Sequence, residues 1–98
     1  METKMNFVIY CTDDPATPNA REEHYPAHRA HLAAATVKLL VAGPFTEVAG
    51  EKKIGSMLVV EANSIEDVRA FAQRDPFYVH RVWNSVQIHP YVKSTDNR

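Results

Sequence analysis

Apolar side chains along this chain fall into short blocks separated by polar turns, and the spacing within each block changes from two to between three and four. Residues 5–11 (MNFVIYC) are β-branched and aromatic and run into Thr12-Asp13-Asp14-Pro15, which predicts a first strand and a loop. The alanine-rich stretch from about Pro26 to Ala35 predicts a helix beginning near Tyr25, because proline is best tolerated in a first turn. Residues 38–46 (KLLVAGPFT) predict a second strand with a bend or bulge at Gly43-Pro44. After a loop through Ala49-Gly50-Glu51-Lys52, residues 54–61 (IGSMLVVE) predict a third strand. Ser64 with Asp67 three positions on resembles a capping box opening a second helix, whose Ile65, Val68, Phe71 and Ala72 share a core-facing side. Asp75-Pro76 reads as a cap and first-turn proline for a short helical piece to about Trp83, and residues 85–91 (SVQIHPY) close the pattern as a fourth strand.

The order β-α-β-β-α-β predicts an α+β, ferredoxin-like fold in which helices cover one face of a four-stranded antiparallel sheet. In the first three strands both alternation sets are largely apolar: Phe7 and Ile9 against Val8 and Tyr10, Leu39 and Val41 against Leu40 and Ala42, Met57 and Val59 against Leu58 and Val60. A sheet with one wet face should alternate apolar with polar. A second copy of the chain is the simplest cover, so a sheet-to-sheet homodimer is expected.

Ninety-eight residues suit a single domain, 1–98, with its core at about 5–91 and a polar tail at 92–98. Eleven basic and twelve acidic side chains give a formal charge of −1, with no dense basic stretch to track a nucleic-acid backbone. No apolar run approaches the ~20 residues that span a bilayer, and Met1-Glu2-Thr3-Lys4 opens without a signal-peptide core. The lone Cys11 has no disulfide partner and no companion for a thiolate metal site, and its neighbours favour a buried strand position. These features predict a cytoplasmic protein without nucleic-acid or membrane partners. No phosphate loop or nucleotide-binding spacing occurs, so no cofactor is expected.

Candidate chemistry centres on histidine, of which the chain has five. On one continuous helix His24, His28 and His31 would share a sector of about 60°, at about 100° per residue, and would suggest a metal site. Pro26 interrupts that picture by leaving His24 outside the helix, and no carboxylate stands at ligand spacing, so no metal is expected. His28 would lie in the first turns, where the positive end of the helix dipole suits a neutral proton acceptor. Asp75 is an evident helix cap, yet a carboxylate holding one ring nitrogen of a histidine would fix its tautomer and raise its basicity. Ser56, beside Gly55, is a lone hydroxyl without a nucleophile-elbow pattern. It stands with His31, Phe77 and His80 as a candidate ligand contact. Phe77, Tyr78, Trp83 and Tyr91 are core or interface aromatics in the first instance, with one or two available to wall a pocket.

Taken in order, Asn6-Phe7-Val8-Ile9-Tyr10, Pro26-Ala27-His28-Arg29-Ala30-His31-Leu32, Leu39-Leu40-Val41-Ala42-Gly43-Pro44, Asp75-Pro76-Phe77 and Val86-Gln87-Ile88-His89-Pro90-Tyr91 resemble the YCII-related family from about Met5 to Tyr91. The resemblance implies a ferredoxin-like protomer of the dimeric α+β barrel group. It also implies an active site of one histidine and one aspartate, matched by His28 after Pro-Ala and by Asp75 before Pro-aromatic. A family member is linked to dehydrochlorination of a chlorinated hydroquinone, and related barrels isomerise lactones or oxygenate polyphenols. Two departures stand out: the turn Ala34-Ala35-Thr36-Val37-Lys38 lacks the common glycine, and His80 occupies a position where a small residue is usual. The leading expectation is a cofactor-free acid–base enzyme for a small cyclic or carbonyl-bearing molecule. The alternatives are a non-catalytic small-molecule-binding or stress-associated protein, and a metal site of His28, His31 and His80.

Overall fold

The computed structural model describes residues 4–98. The leader-region expectation at Met1-Glu2-Thr3 lies outside the described residues. Strands β1 (Met5–Asp13), β2 (Lys38–Thr46), β3 (Lys53–Ala62) and β4 (Trp83–Tyr91) form one antiparallel sheet in the order β2-β3-β1-β4. Helices α1 (Ala20–Ala33), α2 (Ile65–Arg74) and the single turn α3 (Pro76–Val79) complete the β-α-β-β-α-β arrangement. The fold class is the one the hydrophobic pattern predicts.

Phe7, Ile9 and Cys11 of β1 and Leu58, Val60 and Ala62 of β3 point to the helix side, where they pack with Val68, Phe71 and Ala72 of α2, Phe77 of α3, and Val82 and Trp83. Ser64 caps α2 as its spacing predicts, its Oγ accepting from the Asp67 N–H at 3.2 Å. On the opposite face Tyr10 and Val41 are exposed at 44% and 41%, and Val8, Phe45, Met57 and Val59 are only half-buried. A cross-strand contact between Tyr10 and Phe45, with ring centroids 5.0 Å apart, adds to that apolar surface.

Three local expectations are corrected. Helix α1 starts at Ala20, not near Tyr25, and Pro26 sits inside it. Proline removes only its own donor, and the carbonyl it deprives belongs to exposed Glu22, which water can serve. The extra turns are held by tertiary bonds from Arg21 to Asp13, Gly55 and Ser56, and Glu22 and Glu23 favour the positive helix end. Secondly, Gly43 and Pro44 pair in register with Met57 and Ser56; the register shifts lie between Leu39 and Val41 and between Phe45 and Thr46. β2 is an edge strand, where a missing N–H costs no ladder bond.

Thirdly, α3 ends at Val79 rather than reaching Trp83. Arg81 adopts a left-handed conformation with φ 57°, and the Val82 N–H returns to the Phe77 carbonyl at 2.9 Å. This tight reversal turns the chain so that Trp83 enters β4 against Phe77. A further register shift between Thr12 and Asp13 in the β1–β4 pairing sits beside the carboxylate that grips Arg21. Gly55 is needed where it stands, because a Cβ there would run into the Cys11 carbonyl across the β1–β3 pair.

Candidate active site

α1 carries His28 in its interior and α3 carries Asp75 as its cap, so the helix–helix contact brings together residues 47 positions apart. The His28 Nδ1 lies 2.8 Å from Asp75 Oδ1 and 2.9 Å from Oδ2. Oδ1 also accepts from the Phe77 N–H at 2.9 Å, so the carboxylate caps α3 and holds the histidine at once. Asp75 is fully buried and His28 is 7% exposed. An ionised carboxylate only accepts, so Nδ1 carries the proton and donates. That leaves Nε2 as the ring's acceptor, without a hydrogen-bond partner among the described residues.

Aromatic packing fixes the ring plane. His28 stacks on Phe77 with centroids 3.9 Å apart and planes 3° from parallel, and meets Trp83 edge-on at 5.9 Å. Phe77 and Trp83 are themselves edge to face at 5.6 Å. With His28 in mid-helix rather than in a first turn, the dipole contributes little at the ring, since its effect fades beyond the terminal turn. Orientation falls to Asp75 and Phe77 instead.

Beside the pair a cleft of about 230 Å³ opens between α1 and the β2–β3 edge, lined by Arg21, Tyr25, His28, Arg29, Lys53 and Ser56 together with Leu32, Leu58 and the β2 stretch Ala42 to Pro44. Arg21 holds Asp13 through two contacts, Nε to Oδ2 at 2.8 Å and Nη2 to Oδ1 at 2.7 Å. Its Nη2 also donates to the Gly55 carbonyl and to Ser56 Oγ, both at 2.9 Å, and its guanidinium lies 5.0 Å from the Phe77 ring centroid. Trp83 Nε1 donates to the same Ser56 Oγ at 3.2 Å.

Of the residues predicted from sequence, His28 and Ser56 line the cleft, and Asp75 and Phe77 are buried behind His28. His31 turns away to α2, its Nε2 2.9 Å from the Phe71 carbonyl oxygen and its ring on Phe71. His80 stacks on His24 at 4.0 Å, outside the cleft lining. The three histidines considered for a metal therefore serve three different neighbourhoods, and no group of three or more His, Cys, Asp or Glu side chains among the described residues is arranged to hold an ion. Cys11 is fully buried, and burial together with the negative charges of Asp75 and Asp13 pushes its thiol far above the ordinary range, against any nucleophilic use. Arg21 and Asp13 carry no signal in the sequence and Trp83 reads there only as a core, interface or pocket-wall aromatic, because the Ser56 hydroxyl that joins them is 35 positions from Arg21 and 27 from Trp83.

The protomer is a ferredoxin-like α+β domain, and solved structures that it resembles are dimeric α+β barrel proteins. The chain belongs to the YCII-related domain family, whose description matches residues 5–92. It is 31% identical over 96 residues to the Escherichia coli protein called YciI, covering 91% of this chain and 98% of the relative. Among solved structures it resembles 5-chloro-2-hydroxyhydroquinone dehydrochlorinase (TftG) from Burkholderia phenoliruptrix in complex with 2,5-dihydroxybenzoquinone, at 29% identity and a TM-score of 0.82, covering 90% of this chain and 94% of that one. With SnoaB, a cofactor-independent oxygenase from Streptomyces nogalater, it shares the fold, with a TM-score of 0.57 at 13% identity over 99% of this chain and 98% of that one. No helix among the described residues is long and apolar enough to cross a membrane.

Proposed function

We propose that this protein is a cofactor-free acid–base enzyme for a small cyclic or carbonyl-bearing molecule, in which His28 Nε2 takes or returns a proton and Asp75 orients the ring. The observation that carries the reading is the grip of both Asp75 oxygens on His28 Nδ1, which leaves the other nitrogen free on a residue that lines a cleft. Similarity to the dehydrochlorinase points to hydroxylated, quinone-like rings as the first compounds to try. In deuterated buffer, protein freed of small molecules should speed carbon–hydrogen exchange in hydroxylated quinones or cyclic ketones, or release chloride from a chlorinated hydroquinone. His28→Asn should slow that reaction about a hundredfold or more, the usual share of a positioned general base. An equal rate in the variant would overturn the assignment.

One observation favours a second reading, a non-catalytic small-molecule binder: Asp75 Oδ1 caps α3 through the Phe77 N–H and would be needed for that alone. Absence of any exchange or elimination despite measurable binding would support it. We further propose that two copies pack through the face bearing Val8, Tyr10, Val41, Phe45, Met57 and Val59, an apolar patch of the kind that marks an interface. Light scattering on the protein eluting from a sizing column at micromolar concentration should give twice the chain mass, and a monomer would contradict it. The buried free thiol is in keeping with a reducing compartment, and we place the protein in the cytoplasm.

A further inference from the structure

Two cations meet over one aromatic ring at the mouth of the cleft. Arg29 and Lys53 both line it, and the guanidinium of the first and the ammonium of the second each lie 5.9 Å from the Tyr25 ring centroid. They reach that ring from different elements, Arg29 from the turn of α1 after Tyr25 and Lys53 from the start of β3. Neither forms an ion pair among the described residues. The α1 neighbours of Arg29 at helical spacing are Tyr25, Pro26, Leu32 and Ala33, and the residue opposite Lys53 on β2 is Thr46, so no carboxylate stands at the usual pairing positions. Glu22 and Glu51 line a neighbouring cavity together with Lys53 and still leave it unpaired.

Like charges gathered on one ring repel. A cation over an exposed aromatic face gains only about 0.5–1 kcal/mol, which holds each head group in place without matching its charge. The cleft lining adds nothing to match it: it contains Arg21, already taken by Asp13, and no carboxylate. The Tyr25 and His28 ring centroids are 6.5 Å apart, and the cleft of about 230 Å³ has room for one substituted ring. A single small molecule can therefore meet His28 and the two cations together. What completes the mouth electrostatically is an anionic group carried by the ligand.

We propose that Arg29 and Lys53 are specificity-determining residues, which select a small cyclic acid: a ring that lies against His28 and bears a carboxylate substituent held at the cleft mouth. The proposal deepens the acid–base reading, on which it rests for the role of His28, while the choice of an acid follows from the two cations alone. Arginine offers a planar fork of donors that fits both oxygens of a carboxylate, and lysine adds a point charge from the other wall. The carboxylate takes no part in the proton transfer. It fixes which edge of the ring faces His28 Nε2, and an uncharged ring of the same size loses that hold.

The test uses two probes that share a ring and differ in the carboxylate, 2,5-dihydroxybenzoate and hydroquinone, titrated calorimetrically into the unmodified protein, Arg29→Gln, Lys53→Gln and the double variant. The unmodified protein should prefer the acid by about tenfold or more. Each single variant should reduce that preference about three- to tenfold, less than a fully buried charged hydrogen bond would give because both side chains are exposed, and the double variant should bring it near parity. A second measurement needs no variant: raising salt from about 0.01 M to about 1 M, which shortens the screening length from ~30 Å to ~3 Å, should erode the preference in the unmodified protein. Equal affinity for the two probes, no binding of either, or a preference that survives both the double variant and high salt overturns the proposal. Preference for the acid without any proton exchange in deuterated buffer upholds the cationic mouth and removes only the acid–base reading; exchange without preference does the reverse.

Discussion

Asp75→Asn is expected to leave a folded protein whose turnover is lower by about a hundredfold, because the histidine base loses its charged partner and part of its correct tautomer. The amide oxygen can stay where Oδ1 is and keep accepting from the Phe77 N–H, so α3 retains its cap. The amide nitrogen then stands where Oδ2 lay, 2.9 Å from His28 Nδ1, so an N–H faces the ring N–H there and only the neutral amide oxygen at the Oδ1 position, 2.8 Å away, is left to accept it. With the grip reduced to one neutral acceptor, the ring shifts toward the Nε2–H form, which turns the free nitrogen from acceptor into donor. Steady-state kinetics alongside a thermal melt separates the outcomes: a nearly unchanged melting point with collapsed turnover supports the pairing, and turnover within tenfold of the unmodified protein would contradict it.

Phe77→Ala should cost about 3 to 5 kcal/mol of folding free energy, in line with deletion of a buried phenylalanine ring. Phe77 is fully buried and packs on three sides of the site: flat against His28, edge to face with Trp83, and beneath the Arg21 guanidinium. The small core of a chain of 98 residues cannot easily refill that volume. Urea denaturation at fixed protomer concentration is the appropriate measurement, because association of copies would otherwise shift the midpoint. Tyr78→Ala, next door but 44% exposed, serves as the control and should stay within about 0.5 kcal/mol. Equal losses in the two variants would mean that Phe77 does not anchor the site.

Strand and helix order was legible because it is written in local periodicity. Phe7, Ile9 and Cys11 alternate, Val68, Phe71 and Ala72 recur at helical spacing, and the Ser64 and Asp75 caps are set by side chains within three residues of the N–H groups they serve. The start of α1 was not legible. Pro26 is a strong local stop signal, and what overrides it is an Arg21 anchor on Asp13, Gly55 and Ser56 that only the folded sheet assembles. His28 and Asp75 were findable as a pair through the family motifs, while their meeting across 47 positions depends on how α1 and α3 pack. His31 and His80 illustrate the converse: proximity in sequence to the site residues did not bring either to the cleft, because one is drawn to the Phe71 carbonyl and the other to the His24 ring. Ser56 appeared as a hydroxyl without context, and its context is two donors contributed by α1 and β4.

The central claim is that Asp75 locks the His28 proton on Nδ1 and frees Nε2 as the base. Long-range proton–nitrogen correlation NMR on protein with labelled histidine, followed through a pH titration, reads both ring nitrogens directly. The neutral His28 ring should be the Nδ1–H form, and Asp75→Asn should shift it toward the Nε2–H form. A neutral ring protonated at Nε2 in the unmodified protein would contradict the account.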